Sequence, residues 1–250
     1  MTIDLLALLI SFSACASFLP APTPMTALKD ELVGEKAKCL VVFLPGAGDR
    51  ASDFVKYGFV EALRQKNLSV DVVAADSTLG YYARGILVER LHTDVVAPAR
   101  AKGYAQTWLV GISMGGMGAI RYASERPDQV TGIFTLAPFL GSRELSNEMR
   151  AGGGLAKWKA PEKSSPMSGV EAEQQLWRWL QAATTGDEQG TVIYTAYGTE
   201  DRFAPQVALM ADALPSGHTF TMKGGHRWAT WRPLFGAFLA DSDFTRGCSR

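Results

Sequence analysis

Leu109-Val110-Gly111-Ile112-Ser113-Met114-Gly115-Gly116 is the stretch that decides the fold. An apolar strand candidate, Trp108–Val110, leads into it, and a helical pattern, Met117 to Ala123, leads out. Glycines two before and two after Ser113 permit a sharp strand-to-helix turn that lifts the hydroxyl clear of a sheet. The N–H of Met114 then stands at a helix N-terminus, where partial positive charge favours an oxyanion. The plainer alternative is a serine in a structural glycine turn. The strand before and the helix after favour a nucleophile.

Outward from this turn the chain alternates short apolar runs with helical patterns, the signature of a mostly parallel sheet with crossover helices. Strands are expected at Leu40–Leu44, Val70–Ala74, Trp108–Val110, Ile133–Leu136, Val192–Tyr197 and Thr219–Met222. Most are continuously apolar, as strands buried on both faces should be. Helices are expected at Phe54 to Leu63, Ile86 to Ala99, Met117 to Ala123, Val207 to Leu214 and Trp231 to Leu239. The short interval between the prolines at 20–24 and Leu40 leaves room for few earlier strands. Residues 141–190 break the rhythm with Gly152-Gly153-Gly154, a loop-like Pro161–Gly169, and a helical patch from Val170 to Thr184. A structureless loop of that length is unusual, so the segment reads as a helical lid or cap insertion. Its Trp158, Trp177 and Trp179 either cover an apolar pocket or pack the insert onto the sheet.

Composition narrows the function class. The 250 residues are 47% hydrophobic, which suits one globular domain over 25–250 with a full core. Lys plus Arg and Asp plus Glu each total 25, so no charge excess argues for nucleic acid. A small, weakly polar ligand fits this balance better. No Cys/His cluster has metal-ligand spacing.

A resemblance becomes visible here. Ser113-Met114-Gly115-Gly116-Met117-Gly118-Ala119 resembles the nucleophile segment of esterase-D-type and related "putative esterase" members of the α/β-hydrolase superfamily. Leu44-Pro45-Gly46-Ala47-Gly48-Asp49 is similar to the superfamily's oxyanion loop, with Pro45 where a histidine is frequent. The resemblance implies an α/β-hydrolase fold, a serine nucleophile at Ser113, and the Ala47 N–H as second oxyanion donor beside Met114. Physical chemistry agrees that glycines let a backbone approach a ligand closely; an ordinary tight turn is the alternative.

The base should come late, in the order serine, acid, histidine. Of three histidines, His92 lies in a helical pattern and reads as a helix-surface residue, while His218 opens a strand. His226, in Gly224-Gly225-His226, follows that strand on a glycine-rich loop that can carry an imidazole over the serine. The superfamily's Gly-x-x-Asp spacing falls on Asp201 in Gly198-Thr199-Glu200-Asp201, with Glu200 left open as its neighbour. The chemistry implied is hydrolysis of a small-molecule carboxylic ester through an acyl-enzyme, with no metal or organic cofactor required. An acyltransferase or thioesterase on the same triad, or a non-catalytic binding member, are the alternatives. Tyr81, Tyr82 and Phe139 are candidates to line the cleft.

The N-terminal 24 residues read as a signal-like segment. Leu5 to Leu19 is an apolar run of signal-core length, followed by Pro20, Pro22 and Pro24 as an extended linker. Ala14-Cys15-Ala16 has a small-x-small cleavage pattern. Phe12-Ser13-Ala14-Cys15 resembles a bacterial lipobox, with Phe12 in place of the usual leucine and Asp4 in a leader without Lys or Arg. The expectation is export, by cleavage or by membrane attachment through a lipidated Cys15, with a cytoplasmic protein as the alternative. Three scattered cysteines make no disulfide framework, so Cys39 is expected as a buried small hydrophobe, with a Cys39–Cys248 bridge as the minor alternative.

Overall fold

The computed structural model describes residues 19–161, 169–186 and 190–250. The signal-like segment up to residue 18, with Cys15, and most of the Pro161–Gly169 loop lie outside them. Seven strands form one sheet: β1 (Ala27–Asp30), β2 (Cys39–Leu44), β3 (Val70–Ala75), β4 (Gln106–Ile112), β5 (Gly132–Leu136), β6 (Val192–Gly198) and β7 (Thr219–Met222). Their order is β1-β3-β2-β4-β5-β6-β7, and every pair is parallel except β1 with β3. The mostly parallel α/β sheet is as expected, including its six main strands.

Alternation along β2 explains the two-sided core. Leu40, Val42 and Leu44 enter one apolar layer, while Cys39, Val41 and Phe43 enter the other, the period-two geometry of a strand. Helices α1 (Ala51–Lys56), α2 (Phe59–Gln65), α10 (Trp228–Phe238) and α11 (Asp243–Gly247) cover the second layer. There Phe43 stacks on Phe54 at 4.5 Å, and Phe134 on Phe238 at 4.2 Å. The first layer takes α3 (Leu79–Ala83), α4 (Leu87–Leu91), α5 (Ala97–Arg100), α6 (Met114–Glu125), α7 (Arg143–Ala151), α8 (Gly169–Thr185) and α9 (Ala204–Ala211).

Several expectations need correcting. The helix expected over Phe54 to Leu63 is two, broken where Gly58 turns at φ 75°. The one expected over Ile86 to Ala99 is interrupted by a π-helical turn, His92–Val96, just before Pro98, which lacks the N–H of a regular helix. His92 is not a free surface group there: its Nδ1 lies 2.8 Å from the Tyr122 hydroxyl. Strand β1 carries no β-branched residue to announce it; Arg64 anchors it through both the carboxylate and the carbonyl of Asp30.

Within residues 141–190, α8 lies between β5 and β6 in the chain and packs against α6 and the turn Leu155–Lys157 in the first apolar layer. Trp158, Trp177 and Trp179 are buried in the first layer, and the Trp177 indole donates to Leu140 O at 2.9 Å. Of the two readings of these tryptophans, packing is the one realised. The cysteines overturn the default expectation: Cys39 and Cys248 form a disulfide, with Cα atoms 5.7 Å apart. The C-terminal turn is also tied to the start of β3 by Ser69 N–H donating to Cys248 O at 2.8 Å, which the cysteine count could not convey.

Candidate active site

Strand β4 runs straight into α6, and Ser113 takes the joint at φ 53°, ψ −115°. A positive φ on a non-glycine residue is strained and needs support from its surroundings. Ser113 N–H donates to Leu136 O at 2.9 Å, and Ser113 O accepts from Phe139 N–H at 2.9 Å and Met117 N–H at 3.2 Å. The flanking glycines serve close approach. A Cβ on Gly111 would stand 2.2 Å from Gly115 O, and one on Gly115 would stand 2.1 Å from Leu44 O. No side chain fits either place.

Two more glycines bring the acid and base together. Strands β6 and β7 end side by side, and Thr199 N–H donates to Met222 O at 2.8 Å while Glu200 N–H donates to Gly224 O at 2.9 Å. A Cβ on Gly198 would meet Gly224 O at 2.1 Å, so the two loops cross at backbone contact. This crossing sets Asp201 Oδ2 2.8 Å from His226 Nδ1, and His226 Nε2 lies 3.0 Å from Ser113 Oγ. A carboxylate only accepts, so Nδ1 carries the proton and Nε2 is left to accept from the serine hydroxyl. The Asp201 side chain is fully buried, and its other oxygen accepts from Phe203 N–H at 2.8 Å.

Aromatic rings hold the imidazole. The edge-on contacts of His226 are with Phe203 at 5.0 Å and Trp231 at 4.8 Å. Neither was singled out for the site from sequence; each is an aromatic within five residues of the acid or the base, a weak signal beside so many core aromatics. Phe139 lies 5.5 Å from Phe203 and so borders the site. Tyr81 and Tyr82 do not: Tyr81 is buried with its hydroxyl donating to Pro22 O at 2.5 Å, and the Tyr82 hydroxyl faces Gly118 of α6. Burial pushes the Tyr82 phenol above its usual range.

The remaining candidates fall elsewhere. Glu200 is turned out to Lys223 at 3.7 Å, more than half exposed. His218 stacks on Tyr194 at 4.1 Å, with its Nδ1 2.8 Å from Ile193 O. On the oxyanion side, Met114 is the first residue of α6, so its N–H has no acceptor within the helix. Ala47 is exposed on the turn Gly46–Asp49, closed by Asp49 N–H donating to Gly46 O at 3.1 Å with Gly48 at φ 86°. A Cβ on Gly46 would lie 3.4 Å from Ser113 Cβ, so this turn lies against the serine.

The family model described as "Putative esterase" matches residues 30–242. The chain is similar in structure to S-formylglutathione hydrolase (FrmB) from Staphylococcus aureus, with a TM-score of 0.60 and 13% identity, over 89% of this chain and 93% of that one. It is similar to MPT51 (FbpC1) of Mycobacterium tuberculosis, with a TM-score of 0.59 and 17% identity, over 93% and 97% of the two chains. For Est1E from Butyrivibrio proteoclasticus with ferulic acid bound, the TM-score is 0.55 and the identity 15%, over 86% and 94%. At these identities the likeness is one of fold. No curated protein sequence matches the chain.

Proposed function

Because the chain belongs to the "Putative esterase" family and has the α/β-hydrolase fold, we propose that it hydrolyses carboxylic esters of small or medium acyl groups through an acyl-enzyme on Ser113. The observation that carries this reading is the unbroken relay at the ends of the parallel strands, Ser113 Oγ to His226 Nε2 at 3.0 Å and His226 Nδ1 to Asp201 Oδ2 at 2.8 Å. In the first step Ser113 Oγ bonds to the ester carbonyl carbon while His226 Nε2 takes its proton. Asp201 holds the imidazole in the useful tautomer and stabilises the imidazolium that forms. The N–H groups of Met114 and Ala47 donate to the tetrahedral oxyanion. His226 returns its proton to the leaving alcohol, then deprotonates a water that attacks the acyl-enzyme and frees Ser113.

Ser113→Ala should abolish both hydrolysis of a short p-nitrophenyl ester and labelling by a fluorophosphonate. Full activity in that variant contradicts the assignment. The site is read together with a location. The buried Cys39–Cys248 pair supports an oxidising compartment, where disulfides persist. That agrees with an exported protein, cleaved after its apolar segment or anchored to a membrane through Cys15. Residues 1–30 fused to a periplasmic reporter should carry it out of the cytoplasm; a reporter retained inside contradicts export.

A further inference from the structure

The turn against Ser113 ends in a carboxylate that the relay does not use. The gap left by Gly46 is bordered from two sides, since a Cβ there would stand 2.9 Å from Asp49 Oδ2 and 3.4 Å from Ser113 Cβ. Asp49 is held rigidly. Its Oδ1 accepts the Trp228 indole N–H at 3.1 Å, and Trp228 is clamped by stacking on Tyr57 at 4.6 Å and by edge contacts with Phe54 and Trp231. Asp49 Oδ2 has no hydrogen-bond partner among the described residues. The nearest arginine in sequence is committed elsewhere, Arg50 pairing with Asp76 at 3.2 Å, and Lys56 and His226 act on Asp49 through space without a hydrogen bond to it.

A fixed negative charge beside the nucleophile works against the chemistry proposed, because negative charge also develops on the oxyanion held by Ala47 and Met114. Burial raises the cost further, pushing the Asp49 carboxyl above its usual range. The conflict is relieved when the substrate itself brings positive charge to the free oxygen. We infer that Asp49 is a specificity-determining residue whose Oδ2 receives a cationic group of the substrate, so that esters bearing an ammonium are favoured over anionic ones. This deepens the ester-hydrolase reading and rests on it.

The test is a set of matched esters differing in charge, one series varied in the alcohol (acetylcholine, 3,3-dimethylbutyl acetate and a carboxylate analogue) and one in the acyl chain. In at least one series wild-type enzyme should prefer the cation over the anion by about tenfold or more in kcat/KM. Asp49→Asn retains an acceptor for Trp228 and removes the charge, and should bring that ratio close to one. Asp49→Glu should keep a preference for the cation, which a purely structural role does not require. Active wild-type enzyme that is blind to charge in both series overturns the inference without touching the hydrolase reading, and needs no variant to fold. An unchanged ratio in a fluorophosphonate-reactive Asp49→Asn overturns it as well. Wild-type protein that neither labels nor hydrolyses any ester removes the hydrolase reading, and this inference with it.

Discussion

Ser113, Asp201 and His226 come from three separate loops, and the sequence put all three forward by combining local glycine patterns with the spacing and chain order that the family resemblance implies. Their signals are local: glycines at fixed offsets mark the elbow, and strand ends mark the acid and base loops. Between Asp201 and Glu200 the sequence offered a spacing and no geometry. The structure turns Asp201 inward to His226 and Glu200 outward to Lys223. Asp201→Asn is therefore expected to lower kcat by about 10³–10⁴-fold, as loss of the orienting carboxylate does in other serine enzymes. Glu200→Gln should stay within about threefold, since an exposed ion pair contributes little. Steady-state kinetics on one p-nitrophenyl ester compares both. Asp49 adds a pH dependence. Burial is the main cause of its raised pKa and nearby Asp53 adds to it, whereas the Trp228 N–H, His226 and Lys56 act the other way. Its charge is thus lost on acidification at a higher pH than an exposed aspartate's. The cation-to-anion ratio should fade there first, and the ratio cancels protonation of His226 because both esters share that base. A ratio constant down to the ordinary carboxylate range contradicts this.

At the scale of elements, apolar and β-branched runs revealed six strands, five of them largely buried and β7 only partly so, and missed the edge strand β1. Edge strand β1 depends on pairing with β3 and on Arg64, and neither is visible in Ala-Leu-Lys-Asp. Helix breaks escaped for a similar reason, because the apolar period continues through Gly58 and the π-helical turn before Pro98. The element that matters most for the site is the crossing of the β6 and β7 loops. In the sequence Gly198 marked a spacing to the acid and Gly224 a loop able to carry the imidazole, whereas the structure uses both for contact between backbones. Gly198→Ala must drive the loops apart, since its Cβ would stand 2.1 Å from a carbonyl oxygen. We expect kcat to fall by about 10²-fold, in line with displacements of roughly 1 Å at a catalytic group. Retained kcat in a folded Gly198→Ala variant, checked by circular dichroism, argues against the crossing as the device that sets the relay.

For the whole molecule, alternation of strands and helices was enough to anticipate the architecture, because it recurs from Leu40 to Leu239 with a break only at 141–190. Pairing of the cysteines was not, since Cys39 and Cys248 are 209 residues apart and meet only once the sheet is built. Removing the bridge should cost about 2–5 kcal/mol of stability. Cys248→Ser compared with wild type in urea unfolding measures this, and equal midpoints contradict a stabilising bridge. Segment 141–190 lies between β5 and β6 in the chain. Its helix α7 braces the loop after β6, with Arg143 donating to Arg202 O at 3.1 Å and Arg150 to Pro205 O at 2.5 Å. In the function proposed, the whole fold serves to present one activated serine. Tandem mass spectrometry of wild-type protein treated with a fluorophosphonate tests it most directly. A single adduct on Ser113 is expected; an adduct on another residue, or none, contradicts the proposal.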